Sequence, residues 1–388
     1  RELSRRGHQV FVFYRHDEGQ GWEEREGFLA RRVSRATSEG RSSPLAQFLD
    51  TFFNLDIERA FGEFLDEVQP DLVHFQHLMS LSYRLIGRAK RGGLPTLLTL
   101  HDYWFLCSNS QLIWPDARIC QGKAWGLNCA RCALARLGTA SQPLRLAAAP
   151  LLQLRDTLVR RAALRADRLI APSRFLIQRY LEAGFPSERL VYLENGIDTE
   201  RIRRHPHQPS PDGRLRFAYI GSLAWQKGVH ILVEAFRGLP PEKAVLRIYG
   251  DPTVFPEYAA RLRRSADRRN TTFEGPVPNK EVGRILAETD VVVVPSLWYE
   301  NSPVVIQEAF AAGVPVIAAR VGALTEKISH NVNGLLFTRG DVAALRETLR
   351  DLVDQPERIR HLREGIPPVE GIGLHVENLQ KIYREVAR

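Results

Sequence analysis

The segment from Asp290 to Gly313, DVVVVPSLWYENSPVVIQEAFAAG, is the part of the sequence that most constrains the fold. A run of four valines leads into a turn rich in Ser, Asn and Pro, and apolar residues at helical spacing follow. We predict that Ser302 is the N-cap of this helix, Pro303 its first residue and Gly313 the residue just past its end. A strand that runs directly into a helix is the repeating unit of α/β proteins.

The same alternation of strand and helix patterns runs along most of the chain and predicts parallel sheets joined by crossover helices. Helices are expected over Leu45–Val68, over Ser173–Ala183 and, after the breaking run PPVEGIG, over Glu377–Val386. A short helix at the start of the chain is expected to end at Gly7. Short apolar runs between the helices predict strands near Val10–Tyr14, Leu72–Phe75, Thr96–Leu100, Arg168–Ala171, Leu190–Leu193, Arg216–Tyr219, Ala244–Tyr249, Thr272–Phe273, Val291–Val294 and Val316–Ala318.

The length of the chain indicates two domains. With 388 residues, 44% of them hydrophobic, it is too long for one ordinary core and apolar enough for two. The segment Arg204–Gly213, RHPHQPSPDG, has three prolines and no apolar residue, so we predict that it is a linker. The expected order is therefore a domain over 1–203, a linker over 204–213, a second domain over 214–370 and a final helix over 371–388. No apolar run reaches the ~18 residues that a membrane span requires.

The basic charge does not by itself indicate a nucleic-acid partner. The net charge is +9, but only seven of the 54 basic residues are lysine, and no nucleic-acid-binding signature is present. The charge is concentrated between Leu134 and Ile170, where seven arginines and two aspartates alternate with Leu, Ala and Val. This pattern is typical of one or two basic amphipathic helices. Such helices either rest on an anionic membrane surface or pack against their own domain, and the sequence leaves both interpretations open.

Two carboxylates flank the predicted helix start, Glu300 in the preceding loop and Glu308 inside the helix. The amide groups and the dipole at a helix N-terminus suit a phosphate, and open α/β sheets bind ligands where their strands end. Glu300 can then accept hydrogen bonds from sugar hydroxyls, and Glu308 from hydroxyls further along the same ligand. The alternative is that both carboxylates are simply solvated.

The spacing E-x7-E from Glu300 to Glu308 resembles the donor-site motif of family-four retaining glycosyltransferases. The resemblance implies an α/β protein with two facing Rossmann-like domains of the GT-B type, a cleft between them, and a C-terminal helix that crosses back to the first domain. It also implies that a strand, a glycine-rich loop and a helix start precede Arg1. The motifs that carry it are PSLWYENSPVVIQEAFAAGVPVIAARVGALTEKI, FAYIGSLAWQKGVHILVEAF (Phe217–Phe236), NGID (Asn195–Asp198), LTLHDYWFLC (Leu98–Cys107) and GHQVFVFY (Gly7–Tyr14).

The resemblance implies a hexosyltransferase that moves a sugar from a nucleotide-diphosphate sugar to a saccharide or lipid-linked acceptor, with retention of configuration. The expected setting is the assembly of surface polysaccharide or lipopolysaccharide, in the cytoplasm or at the inner face of the cell membrane. Two other functions stay open. One is a nucleotide-sugar epimerase or a phosphorylase on the same architecture, and the other is a non-catalytic subunit that docks on a membrane.

The resemblance also assigns roles to residues of this chain. His101, at the end of the strand LLTLHD, and Lys227 are expected to act in catalysis together with Glu300, with Lys227 neutralising the diphosphate. Arginine often stands in the family where this chain has Ser222. The sequence contains no D-x-D, so no metal is expected in catalysis. Donor contacts are expected from Gly221, Ser222, Asp251, Asn301, Ser302, Pro303, Val304, Glu308 and Glu326, and acceptor contacts from His74, Phe75 and His77.

All four cysteines fall in one stretch with the spacing C-x12-C-x8-C-x2-C. The final C-x2-C is typical of a thiolate knuckle, and four ligands would complete a structural zinc site. An iron–sulfur cluster, two disulfides and free thiols are the alternatives. The residues concerned are Cys107, Cys120, Cys129 and Cys132.

Overall fold

The computed structural model describes residues 1–16, 19–34 and 48–387. The chain divides into two compact units. The N-terminal unit comprises Arg1–Glu194 and Gly373–Arg388, and the C-terminal unit comprises Asn195–Ile372. Each unit is an α/β domain with parallel strands, as the alternation of patterns predicts. No helix in the described ranges is long and apolar enough to span a membrane.

Two sheets form the N-terminal unit, with strand orders β1-β3-β2 and β4-β5-β6-β7. The second sheet is wholly parallel, whereas β2 runs antiparallel to β3 in the first. The hairpin formed by β2 and β3 was not predicted, because consecutive charged residues interrupt the alternation of apolar and polar residues in both strands. The strands are β1 (Phe11–Arg15), β2 (Gly21–Arg25), β3 (Phe28–Val33), β4 (Val73–Phe75), β5 (Thr96–Thr99), β6 (Arg168–Ala171) and β7 (Leu190–Tyr192).

A cavity of about 1510 Å³ lies inside the N-terminal unit. It is lined by β1 and β4, which are each the terminal strand of their sheet. Phe61, Phe64 and Tyr383 from two helices complete its walls.

Helices cover both sheets of the N-terminal unit. The helix expected over Leu45–Val68 is shorter, because Asn54 caps a helix that begins at Leu55, accepting a hydrogen bond from the Ile57 amide at 3.0 Å. Residues 45–47 of that prediction lie outside the described residues. The helices are Glu2–Arg5, Leu55–Val68, Leu85–Arg91, Leu127–Arg136, Gln142–Ala163, Arg174–Glu182 and Ile372–Val386, with a 3-10 turn at Ser187–Arg189.

The last helix returns to the N-terminal unit, as the resemblance implies. It begins at Ile372, five residues before the predicted start at Glu377. Its buried Leu379 and Ile382 pack in one cluster with residues of the parallel sheet, namely Leu97, Ile170 and Leu193. This burial of apolar surface holds the last segment of the chain on the first unit.

Six parallel strands form the sheet of the C-terminal unit, in the order β10-β9-β8-β11-β12-β13. The order reverses between β8 and β11, which makes that point the topological switch of a doubly wound sheet. The last strand was not predicted. The strands are β8 (Leu215–Ile220), β9 (Ala244–Tyr249), β10 (Thr271–Gly275), β11 (Val291–Val294), β12 (Val316–Ala319) and β13 (Gly334–Phe337). The helices are Thr199–Arg203, Val229–Phe236, Pro256–Ser265, Val282–Ala287, Val304–Ala311, Leu324–Lys327, Val342–Asp354 and Arg358–Glu364, with 3-10 turns at Trp225–Lys227 and Asn279–Glu281.

The predicted linker over 204–213 is part of the C-terminal unit, and the boundary lies between Glu194 and Asn195. The Gln208 amide donates to the Ala287 carbonyl at 2.8 Å. His207 lies 3.2 Å from the carboxylate of Asp290. These contacts explain why a proline-rich, polar segment is fixed to a domain although its composition is that of a linker.

Candidate functional site

The loops that follow β8 and β11 meet at the switch point of the C-terminal sheet. Gly221 follows β8, and Gly250 follows the neighbouring β9. A Cβ atom on Gly250 would lie 2.3 Å from the carbonyl oxygen of Gly221, so only glycine lets these two strand ends approach so closely. This edge of the sheet is where open α/β folds bind ligands.

Lys227 and Glu300 form an ion pair at this point. The Lys227 ammonium lies 2.8 Å from Oε1 and 3.1 Å from Oε2 of Glu300. Glu300 is buried, and its Oε1 also accepts hydrogen bonds from the Ser296 hydroxyl at 2.5 Å and the Trp298 indole at 2.9 Å. The ammonium also lies 5.1 Å from the centre of the Trp298 ring, within reach of a cation–π interaction. The site therefore holds one buried carboxylate with three donors around it.

Gly228 positions Lys227 against the end of β11. Its φ of +71° lies in the left-handed region, which favours glycine. A Cβ atom at this position would lie 2.0 Å from the carbonyl oxygen of Pro295. Lys227 thus supplies the cation, and Gly228 lets the adjoining backbone approach the end of β11 closely.

Tyr219 supports the loop that contains Ser222. Its hydroxyl donates to the Ser222 carbonyl oxygen at 2.8 Å. Burial, together with the negative charge of Glu300, raises the pKa of Tyr219 well above its usual value. Tyr219 therefore stays a neutral hydrogen-bond donor, and the backbone of Ser222 is held in place.

Glu308 is buried in the helix that follows the site and is paired with Arg201, which was not predicted. The two side chains lie 3.0 Å apart. Burial raises the pKa of Glu308, and the hydrogen bond and charge of Arg201 oppose that shift. Arg201 lies in the helix Thr199–Arg203, which Asp198 caps by accepting from the Arg201 amide at 3.0 Å. The sequence signal that could have pointed to Arg201 is the NGID motif, which ends at Asp198 shortly before it.

The helix at the site begins one residue later than predicted. It spans Val304–Ala311, with Pro303 at the N-cap position in an extended conformation. Ser302 is therefore not the cap, and its buried hydroxyl has no hydrogen-bond partner among the described residues. Asn301 precedes it and is buried. Gly313 has a φ of +70° just after the helix, as predicted.

The remaining predicted donor residues, Asp251 and Glu326, lie in segments that follow β9 and β12. The Asp251 carboxylate accepts from the Thr253 amide at 2.8 Å and from its hydroxyl at 2.6 Å, and these bonds lower the pKa of Asp251. Glu326 is exposed in the helix Leu324–Lys327. The preceding Ala323 amide donates to the carbonyl oxygen of Glu300 at 3.2 Å, which ties the loop after β12 to the site.

His101 belongs to the N-terminal unit, where it follows β5. Its Nε2 lies 2.8 Å from the Gln76 side-chain oxygen. Desolvation, and to a lesser degree the charge of His77, lowers the pKa of His101. An imidazole in this state is neutral near pH 7 and can serve as a hydrogen-bonding group.

The other two histidines of this region are held by hydrogen bonds within the unit. His74 uses both ring nitrogens, at 2.8 Å from the Tyr383 hydroxyl and 2.7 Å from the Thr99 hydroxyl, and burial lowers its pKa to about 3. Both ring nitrogens are therefore held by hydrogen bonds within the unit, and the acceptor contact of His74 stays a prediction. His77 lies 3.0 Å from the carboxylate of Asp102.

The four cysteines form no disulfide bond in the structure. Burial raises the pKa of Cys120, Cys132 and Cys129, the last to about 12. In the part of the chain that the structure describes, no three His, Cys, Asp or Glu side chains form a group that could hold a metal ion. The structure thus does not bring these thiols into a metal-binding group, and the zinc site stays a prediction.

Comparison with known families identifies the chain. Residues 200–366 match the sequence model of glycosyl transferases group 1, and residues 1–201 match that of Glycosyltransferase Family 4. The second match alone covers just over half of the chain. The protein belongs to glycosyltransferase family 4.

Three bacterial proteins that are similar to this family member are named for the synthesis or transfer of sugars. The chain is 29% identical over 194 residues to glycogen synthase of Mycobacterium tuberculosis, covering 49% of this chain and 46% of the relative. It is 30% identical over 200 residues to the amylovoran biosynthesis glycosyltransferase AmsK of Erwinia amylovora, covering 47% and 46%. It is 29% identical over 227 residues to a GDP-mannose-dependent phosphatidylinositol monomannoside mannosyltransferase of Mycolicibacterium smegmatis, covering 52% and 57%. These alignments span about half the length of each relative.

Solved structures confirm the GT-B fold. Sucrose-phosphate synthase from Thermosynechococcus elongatus has a TM-score of 0.73 at 19% identity, covering 99% of this chain and 90% of that chain. Anabaena HepE in complex with UDP and glucose has a TM-score of 0.62 at 18% identity, covering 92% and 86%. At these identities the similarity establishes the fold alone.

Proposed function

We propose that this family member is a retaining glycosyltransferase that moves a hexose from a nucleotide-diphosphate sugar to a saccharide or lipid-linked acceptor. The observation that carries the proposal is the Lys227–Glu300 pair at the switch point of the C-terminal sheet. A cation beside a carboxylate at this position suits a ligand with a diphosphate at one end and sugar hydroxyls at the other. Similar proteins support this ligand class, since HepE has been solved in complex with UDP and glucose and the mannosyltransferase is GDP-mannose-dependent.

Donor binding would redistribute the hydrogen bonds of the pair. The diphosphate would take over the Lys227 ammonium, and Glu300 would keep the Ser296 and Trp298 donors while accepting from the sugar. As the bond from the anomeric carbon to the phosphate oxygen breaks, the ammonium would stabilise the charge that develops on the leaving group. No metal takes part in this scheme, because lysine and the helix N-terminus at Val304 meet that charge.

Retention of configuration would follow from attack on the same face. Oε1 of Glu300 would keep two hydrogen bonds, from Ser296 and Trp298, which lower its nucleophilicity and favour a binding role. The acceptor oxygen would form the new bond to the anomeric carbon while its proton passes to the departing phosphate oxygen. The protein would contribute positioning and electrostatic stabilisation. The action would take place in the cytoplasm, at the inner face of the membrane when the acceptor is carried on a lipid.

A donor panel tests this function. Purified protein would be heated with UDP-, GDP-, ADP- and dTDP-sugars, and we expect one of them to raise the melting temperature. With that donor and a matching acceptor, free nucleoside diphosphate should appear, insensitive to chelator, and NMR should show the anomeric configuration retained. A second sugar formed from the donor without acceptor would instead identify an epimerase. No thermal shift with any donor would contradict the proposal.

Two variants connect this activity to the site. Lys227→Ala should lower turnover by about 100-fold or more, because the leaving group loses its cation. Glu300→Gln should lower kcat more than it raises KM for the donor. Wild-type kinetics in both variants, with unchanged folding, would show that the catalytic site lies elsewhere.

A further inference from the structure

The helix Gln142–Ala163 of the N-terminal unit exposes leucines and buries charges. Its four outward leucines are more than half exposed, whereas Arg155 and Asp156 are 1% and 2% exposed. A surface helix normally shows the opposite arrangement. We name these outward residues the leucine face: Leu144, Leu146, Leu151 and Leu154.

The buried charges of this helix are fully used inside the unit. Arg155 donates to the Trp104 carbonyl oxygen and to Asp156, both at 2.9 Å, and its guanidinium lies 4.7 Å from the Trp104 ring centre. Asp156 is also paired with Lys123 at 3.1 Å. Arg160 donates to the Gly184 carbonyl oxygen at 2.7 Å. Arg155 therefore fixes the helix to its own unit and is not one of the arginines that can reach a membrane surface.

Two further large apolar residues are exposed near the helix Gln142–Ala163. Leu137 is 78% exposed at the end of the neighbouring helix, which packs on Gln142–Ala163 through Ala130 and Ala149. Trp125 is 85% exposed. The next residue, Gly126, packs so tightly that a Cβ atom there would lie 2.2 Å from the Ala149 carbonyl oxygen, which places Trp125 next to the same helix. An exposed apolar group of this size marks an interaction surface.

The exposed charges of residues 117–181 are positive, and the exposed Asp116 just before this range is paired with Arg118 at 2.6 Å. Between residues 117 and 181 the only acids are Asp156, which is buried, and Asp167, which is paired with Lys90 at 2.8 Å. The exposed arginines of the two helices and the turn that follows are Arg131, Arg136, Arg161 and Arg165.

We propose that the leucine face, with Trp125 and Leu137, inserts into the interfacial layer of an anionic membrane while the flanking arginines contact the lipid headgroups. Leucines on one helix face, a tryptophan and nearby arginines are the side chains that hold a helix in a bilayer interface. A second copy of the chain is a poorer partner, because it would bring a matching set of arginines to the same contact. The inference deepens the proposed function, since a lipid-linked acceptor would be presented at this surface.

Vesicle co-sedimentation tests the surface directly. The protein should sediment with vesicles of phosphatidylcholine and phosphatidylglycerol, and weakly with phosphatidylcholine alone. Leu151→Gln/Leu154→Gln should weaken binding by about tenfold or more. Arg161→Gln/Arg165→Gln should weaken it by about fivefold per arginine at low salt and less at high salt. Leu374→Gln is the matched control, because Leu374 is 42% exposed on another helix of the same unit.

Two accompanying measurements distinguish membrane insertion from misfolding and from self-association. The melting temperature and the donor-induced thermal shift should be unchanged in the leucine variant. A failure of the proposed donor binding would be seen in the thermal shift, independently of vesicle binding. Sedimentation velocity without lipid should show the same species for wild type and variant. The inference is overturned if the leucine variant binds vesicles like the Leu374→Gln control, or if wild type forms a dimer that the leucine substitutions abolish.

Discussion

A single lysine and a single glutamate, 73 positions apart in the sequence, neutralise each other at the switch point of the C-terminal sheet. The contact depends on Gly228, because a side chain there would meet the backbone of Pro295. Glu308 is buried a short distance along the helix and is held by Arg201. At the scale of residues, the site consists of two ion pairs, and a glycine positions the first of them.

Gly228→Ala tests this positioning role. A side chain in the left-handed region costs about 1 kcal/mol, and the overlap with the Pro295 carbonyl adds about 1–3 kcal/mol. Gly313→Ala is the matched control, because Gly313 has nearly the same φ but nothing within 4 Å of an added Cβ atom. We expect urea unfolding to show a clearly larger loss of stability for Gly228→Ala, together with a loss of activity. Equal losses in the two variants would mean that the close approach to β11 is unimportant.

Among the elements, β11 is fixed at its start by the carboxylate of Asp290, which is buried. The Asp290 carboxylate accepts from the Arg216 amide at 2.9 Å and from its guanidinium at 3.0 and 3.1 Å. His207 lies 3.2 Å from the same carboxylate. The proline-rich segment is thereby attached to the neighbouring strands β8 and β11.

Asp290→Asn should lower the free energy of unfolding by about 3 kcal/mol at pH 7, because it leaves Arg216 buried without its counter-charge. Hydrogen bonds from His207 and Arg216, opposed by burial, hold the pKa of Asp290 far below its usual value. A carboxylate of this kind stabilises the fold above its unfolded pKa of about 3.9, and the contribution is lost as the pH falls toward the folded pKa. The difference between wild type and variant should therefore shrink below about pH 4.

Asp267→Asn provides the comparison for this pH dependence. Arg269 and the backbone lower the pKa of Asp267 to about 2, but that pair is at the surface. We expect a small effect on unfolding at every pH. A loss for Asp267→Asn as large as that for Asp290→Asn would contradict the assignment of Asp290 as a buried anchor.

The whole molecule consists of two α/β units whose boundaries are set by contacts rather than by composition. The C-terminal unit contains the switch point and the Lys227–Glu300 pair, and the N-terminal unit contains His101 and the leucine face. A nucleoside diphosphate should therefore protect the C-terminal unit first.

Hydrogen exchange with UDP, GDP and ADP tests this division. Amides over residues 221–228 and 295–308 should exchange more slowly with the matching nucleotide, because ligand binding suppresses local opening. Residues 168–171, in a buried strand of the N-terminal unit, serve as the internal reference. Protection confined to the N-terminal unit would contradict our proposal, which places the nucleotide on the C-terminal unit.

The sequence by itself determined the strand–helix units and where they end. Periodicity and end signals are local, so strands such as Ala244–Tyr249 and the Ser173 cap were predicted correctly. Lys227 and Glu300 were predicted from their positions after predicted strands together with the resemblance to the family motif. Tertiary structure alone decided which strand ends are neighbours, that Arg201 pairs with Glu308, and that the proline-rich segment belongs to the second unit. The tertiary structure also buries Arg155 and exposes the leucines of the leucine face. These outcomes depend on contacts between residues far apart in the chain, and a local pattern carries no information about them.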